Sequence, residues 1–275
     1  MTTPLTETND NTGAALRIAV ICHADDPINH ELVRRWLASF ADVVGVVLID
    51  EHRTRWSKRL RAEYRRVGLL RLLDVFGFRI YYRLCRAAGD RAWVDAEIER
   101  RCALLPDPPA RVMTTRNPNS AAVVGFLRNC APQLVIARCK WLLSKEVFSV
   151  PPLGTFVLHP GICPQYRNAH GCFWAIANRD LANVGLTLLQ VDDGIDTGPI
   201  YGYFRYPFDE HAESHIRIQH RVLLENFDAI RTRLLEIAAR RAVPLEVVGK
   251  PSRNWGQPWL SAFLRARRAA RGGVA

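Results

Sequence analysis

Short, almost purely apolar runs separated by helical segments constrain this chain most. Leu16-Arg-Ile-Ala-Val-Ile-Cys22 and Val43-Val-Gly-Val-Val-Leu-Ile49 carry too few polar residues to leave a face in water, so each reads as a strand covered on both sides. Between them, Leu32, Val33, Trp36, Leu37 and Phe40 share one face of a helix over residues 30–40. Strand, helix and strand in succession predict a doubly wound α/β fold, Rossmann-like, with a mostly parallel sheet flanked by helices.

The pattern continues down the chain. Further strands are expected at 111–115, 133–137, 155–158, 184–191 and 200–206, with helices over 120–130 and 171–178, a helical turn within 142–150 and one long helix over 214–240. Residues 53–103 interleave arginines with leucine, phenylalanine and tyrosine, the composition of a basic helical insertion. Its apolar side packs on the core, on a second subunit in a homo-oligomer, or on a membrane surface. The organisation expected is a disordered lead-in at 1–14, one α/β domain over 15–245 carrying the insertion, and a C-terminal extension over 246–275 ending in a basic tail.

Composition narrows the function. Hydrophobic residues make up 48% and charged residues 24%, as in ordinary globular proteins. No apolar run approaches the ~20 residues of a membrane span. Seven scattered cysteines do not form a disulfide framework, and a cytoplasmic setting is the expectation. The net charge of +11 gathers around residues 53–71 and 265–271. Such charge suits a solvated helix face, an anionic surface or a nucleotide-linked substrate; no zinc-finger or RNA-binding pattern accompanies it, so sequence-specific nucleic-acid binding is not expected.

Ligands of such sheets collect at the carboxyl ends of the strands. The first such loop, His23-Ala-Asp-Asp-Pro-Ile-Asn29, contains neither Gly-x-Gly-x-x-Gly nor a P-loop, which disfavours both phosphate cradles. His23, Asp25 and Asp26 either line a pocket or cap the next helix. The chemistry concentrates further on. His159 closes the 155–158 run, and Asp196 follows on a loop between Gly194 and Gly198. An imidazole and a carboxylate brought together at strand ends form an acid–base pair. A metal site built from His159, Cys163, His170 and Cys172 lacks the usual paired spacing, and none is expected.

The run His159-Pro-Gly-Ile-Cys-Pro-Gln-Tyr-Arg-Asn168, then Trp174-Ala-Ile176, Gly185-Leu-Thr187 and Asp193-Gly-Ile-Asp-Thr-Gly198, resembles the folate-dependent formyltransferase family. That family, which includes methionyl-tRNA formyltransferase, glycinamide ribonucleotide transformylase and sugar N-formyltransferases, shows Asn-x-His-Pro-Ser-Leu-Leu-Pro-x-Tyr-Arg-Gly and Asp-x-Gly-x-Asp-Thr-Gly. The resemblance spans about residues 131–202, and coarser agreement extends it over most of the chain. It implies a formyl-transferring enzyme using 10-formyltetrahydrofolate as co-substrate, with His159 and Asp196 in two of the three catalytic places. The third, an asparagine in the family, is Val157, which donates no hydrogen bond. Asn168 and His170 are the candidates to compensate, the alternative being a loop turn. By the same resemblance Arg138, Cys139, Lys140, Trp141 and Leu142, with Asp193, would receive the folate.

The acceptor implied is the amine of a small molecule, including a nucleotide-linked sugar. The tRNA-formylating members carry an added β-domain for which the residues after Arg240 leave no room. Two other readings stay open: a diverged enzyme that hydrolyses a formyl group or moves another acyl or carbamoyl group, and a binding module that keeps the pocket without the reaction.

Overall fold

The computed structural model describes residues 15–50 and 56–272. The expected lead-in at 1–14 and the arginines at 53 and 55 lie outside the described residues. β1 (Arg17–His23) leads through a π-helical turn (Ile28–Val33) into α1 (Arg34–Ala38) and back to β2 (Asp42–Ile49). The expected insertion is the crossover that follows. It comprises α2 (Trp56–Cys85), kinked at Gly68 where φ is 77°, and α3 (Ala87–Cys102). β3 (Arg111–Thr115), α4 (Ala121–Cys130), β4 (Leu134–Arg138), α5 (Lys145–Phe148) and β5 (Thr155–His159) complete the parallel part.

Then come β6 (Arg167–Asn168), α6 (Gly171–Ala177), a 3₁₀ turn (Leu181–Asn183), β7 (Leu186–Gln190) and β8 (Ile200–Phe204). The chain ends in α7 (His215–Leu224), α8 (Phe227–Ala238), β9 (Asn254–Trp255) and α9 (Leu260–Gly272). The main sheet has the order β3-β2-β1-β4-β5-β7-β8. Its first five strands are parallel, and β7 and β8 run antiparallel. The direction of winding reverses between β1 and β4, which opens a crevice at their carboxyl ends.

Apolar residues cover both faces of the sheet, as its uninterrupted strands require. Ile18, Val20, Leu134, Ile136, Phe156 and Leu158 face one core, while Ala19, Ile21, Val47, Val123, Leu127 and Val135 face the other. The insertion is docked by a buried carboxylate. Asp90 on α3 is 3% exposed and accepts from Arg217 Nε at 2.8 Å, Ser214 Oγ at 2.6 Å and Tyr82 Oη at 2.8 Å. Three donors, one of them charged, offset its desolvation and tie α2 and α3 to α7.

One expectation needs correction, and one is extended. The single helix over 214–240 is two helices, broken at Asn226 (φ −114°, ψ 18°). The Asn226 side chain causes the break: its Nδ2 donates to Val222 O at 2.7 Å and to Arg205 O at 3.0 Å, competing with the helical ladder. The basic tail is helical as well. α9 buries Ala262, Ala266 and Ala270, a small-residue stripe at four-residue spacing that lets it lie close against α2. Arginines on its outer side had masked that periodicity.

Candidate active site

His159 is the last residue of β5, and its ring is 4% exposed. Its Nδ1 stands 3.4 Å from Asp196 Oδ2, so the two groups singled out by sequence do meet. Nε2 lies 2.8 Å from Tyr166 O. The ring is thus held between a carboxylate and a carbonyl, and the loop between β5 and β6 folds directly over it.

Gly161 permits that closure. A Cβ there would fall 2.8 Å from His159 Nε2 and 2.6 Å from Tyr166 O, and one at Gly171 would fall 2.6 Å from Gly161 Cα. The family pattern has serine where this chain has Gly161. Val157, two residues before His159, lies on the same face of β5 and packs with Cys163, Leu189 and Tyr203. Both departures from the family pattern thus bear on the surroundings of one imidazole.

Asp196, Asn168 and His170 all adopt left-handed backbone, with φ of 51°, 72° and 56°. Asparagine, aspartate and histidine tolerate this region better than most side chains. That explains Asn168 standing where the family has glycine. Its N–H donates to Asp196 Oδ2 at 2.7 Å, and its Nδ2 donates to Trp255 O at 2.6 Å. The side-chain amide is thus turned to the C-terminal segment, while the backbone holds the carboxylate. Asn168→Ala is expected to be less stable than Asn168→Gly by about 1 kcal/mol, since alanine adds left-handed strain. Urea unfolding checks this, and equal stabilities would contradict the backbone role.

The C-terminal segment was not recognised from sequence as part of this site. β9 pairs with β6, Trp255 Nε1 donates to Gln165 O at 2.9 Å, and Trp174 Nε1 donates to Gly256 O at 2.8 Å. The Trp255 ring stacks on Trp174 at 4.7 Å and on Tyr166 at 5.6 Å. The only signal available was the density of aromatics in Trp255-Gly-Gln-Pro-Trp259.

His170 caps α6 with its backbone and packs 6.1 Å, ring to ring, from His215. Burial, with Lys140 and Arg79 nearby, lowers its pKa to about 4. Burial lowers His215 to about 3, aided by His170 and His220, and lowers His220 to about 4 against the opposing pull of Asp26. Rings this reluctant to protonate are neutral near pH 7, poor acceptors for an amine proton but able to form hydrogen bonds. Their depressed values imply stability present above an unfolded pKa near 6.5 and lost as pH falls toward 4. The melting temperature is expected to drop by about 3–5 °C over that range, and by less in His215→Phe, by calorimetry at fixed ionic strength. An equal drop in both proteins would contradict this.

At the switch point, Lys140 N donates to His23 Nε2 at 3.0 Å, joining the turns after β1 and β4. Asp26 accepts from Asn29 N at 3.2 Å and Asn29 Nδ2 at 2.6 Å, so it does cap the helical turn. Arg138 Nε donates to Asn29 Oδ1 at 2.9 Å, and its Nη1 donates to Leu158 O, one residue before His159. Burial pulls the Arg138 guanidinium below its ordinary pKa, with Asp26 acting against that. Cys139 Sγ contacts Trp141 O at 3.8 Å, Lys140 and Leu142 are exposed, and Leu142 O accepts from Asn119 Nδ2 at 2.9 Å. Asp193 is exposed, and Asp192 shapes that loop by accepting from Gly194 N at 3.0 Å and Thr197 Oγ1 at 2.8 Å. Cys163 and Cys172 are buried, and burial pushes both thiols up, Cys172 to about 12. Among the described residues no group of three His, Cys, Asp or Glu side chains is arranged to hold a metal ion.

Residues 93–234, just over half of the chain, match the family profile described as formyl transferase. The chain belongs to the formyl transferase family. Similar relatives include methionyl-tRNA formyltransferases of Pelobacter propionicus, 32% identical over 42% of this chain and 35% of the relative, and of Thermus thermophilus, 37% identical over 33% and 30%. The chain therefore spans about a third of the length of the curated relatives it matches. The fold is shared with a sugar N-formyltransferase from a Shewanella species (TM-score 0.52, 15% identity, 87% of this chain and 76% of the other). It is shared equally with a phosphoribosylglycinamide formyltransferase from Anaplasma phagocytophilum (TM-score 0.53, 14% identity, 82% and 89%).

Proposed function

We propose that this formyl transferase moves a formyl group from 10-formyltetrahydrofolate to the amine of a small molecule, with a nucleotide-linked sugar amine as the acceptor class its charge fits. The observation that carries the reading is His159 at the end of β5, 3.4 Å from Asp196 and inside the family's motif. When bound, the donor supplies the formyl carbon. The amine nitrogen bonds to that carbon, its bond to the donor nitrogen breaks, and the amine's proton passes to the departing nitrogen. His159 stabilises the oxyanion formed between those events through Nε2, once that atom leaves Tyr166 O, and Asp196 orients the ring.

The turn Arg138–Leu142 after β4, with Asp193, is assigned to the folate. Arg138 anchors that turn to β5 rather than pairing with an anion. Lys140 and Arg79 near His170, and Arg253 over Trp255, place positive charge beside the motif residues, which supports an acceptor carrying phosphate. His170 and Asn168 are assigned as polar lining and as support for Asp196, not as proton carriers.

A second reading, a pocket that binds without reacting, is favoured by Val157 and by the closure of the loop over His159. One experiment separates the two. The protein is mixed with 10-formyltetrahydrofolate and a panel of amines that includes nucleotide-linked amino sugars, and release of tetrahydrofolate is followed. Amine-dependent release supports transfer; saturable binding without release supports the binding module.

A further inference from the structure

The longest helix carries an apolar stripe that none of the described residues covers. On α2, Leu72, Val75 and Phe78 are 9%, 2% and 5% exposed and fix one side of the helix to the core. On the opposite side Leu69, Leu73, Ile80 and Leu84 are 60%, 59%, 60% and 78% exposed, with Leu70 beside them at 83%. Spacings of four, seven and four residues keep these four on one line along the helix. The stripe is therefore a fixed feature of a docked helix, not a loose edge of the core.

Its border is positive. Arg83 lies one turn after Ile80 and is exposed. α9 lies against α2 and adds exposed Arg265, Arg268 and Arg271, with Leu264 43% exposed among them. The one carboxylate in this part of α2, Asp74, is engaged by Ser261 N at 2.8 Å and by Ser261 Oγ. Apolar residues flanked by arginines are the pattern of a helix that lies in the plane of an anionic lipid interface. No described helix is long and apolar enough to cross a membrane, so the contact would be along the surface.

We propose that the outer face of α2, with the arginines of α9, docks this protein onto a bilayer containing anionic lipid. A second copy is the poorer occupant, because a two-fold pairing would bring arginine border against arginine border. The inference does not depend on the formyl chemistry.

Vesicle flotation of the full chain tests it. Vesicles of phosphatidylcholine with about one quarter phosphatidylglycerol are compared with phosphatidylcholine alone. Binding is expected to the anionic vesicles, to weaken roughly fivefold for each of Arg83→Gln and Arg268→Gln, and to fall at least about tenfold in Leu70→Gln/Leu73→Gln/Ile80→Gln. All these positions are exposed, and circular dichroism and melting curves verify that the variants fold. Three results would overturn the proposal: no binding to anionic vesicles, binding unchanged in the triple variant, or a dimer in solution that the triple variant abolishes. Equal affinity for soluble polyglutamate would also overturn it, by assigning the face to an acidic protein.

Discussion

His159→Ala is expected to lower kcat for formyl transfer by about 10²- to 10⁴-fold, with KM changed little. In the proposed reaction His159, at the carboxyl end of β5 with Asp196 3.4 Å from its Nδ1, meets the developing oxyanion through Nε2 after that atom leaves Tyr166 O. Asp196→Asn should cost less, because asparagine keeps an oxygen for the Asn168 N–H while removing the charge beside the ring. Removing the ring also leaves Tyr166 O without its partner, so melting curves must accompany the kinetics. A His159→Ala kcat within about threefold of the parent, in a folded protein, would remove this residue from the chemistry.

Trp255→Ala is expected to have the second-largest effect, on stability and on rate together. The indole joins Tyr166, Trp174 and Gln165 to the C-terminal segment, and its backbone oxygen receives the Asn168 amide. It is half-buried, so the loss should lie near the lower end of the range for aromatic truncation, about 3 kcal/mol, or about 6 °C in melting temperature. Asn168 N holds Asp196, so a loosened β6–β9 pair should also let the carboxylate drift. A further fall in kcat of about tenfold is expected at temperatures where the variant is folded. Trp255→Phe keeps the stack and should recover most of the stability. If Trp255→Ala loses stability but retains full kcat, the segment braces the fold without positioning the acid.

Much of this was legible in the sequence because burial on both faces leaves a strand with no polar residues to spare. The strands at 17–23, 42–49, 134–138 and 155–159 fall where their apolar runs predict, within a residue or two. The meeting of His159 and Asp196 was also legible, since both stand in motif positions at strand ends. Three things were not. The break at Asn226 depends on a side chain reaching Arg205 O, a contact from another part of the chain. The role of Asn168 follows from a backbone φ of 72°, which sequence does not display. The clasp of Trp255 on the loop after β5 joins residues far apart in the chain through a two-residue ladder too short to leave a periodic signal.

The claim that His159 and Asp196 form the reacting centre of an amine formylation is tested most directly by tracing the transferred carbon. Donor labelled with carbon-13 in its formyl group is supplied with an accepting amine to the parent and to Asp196→Asn, and products are separated by mass spectrometry. The parent should place the label in a new formamide, one for each tetrahydrofolate released, and the variant should make far less of it. Label appearing as free formate whether or not amine is present, or formamide made equally by both proteins, would contradict the account.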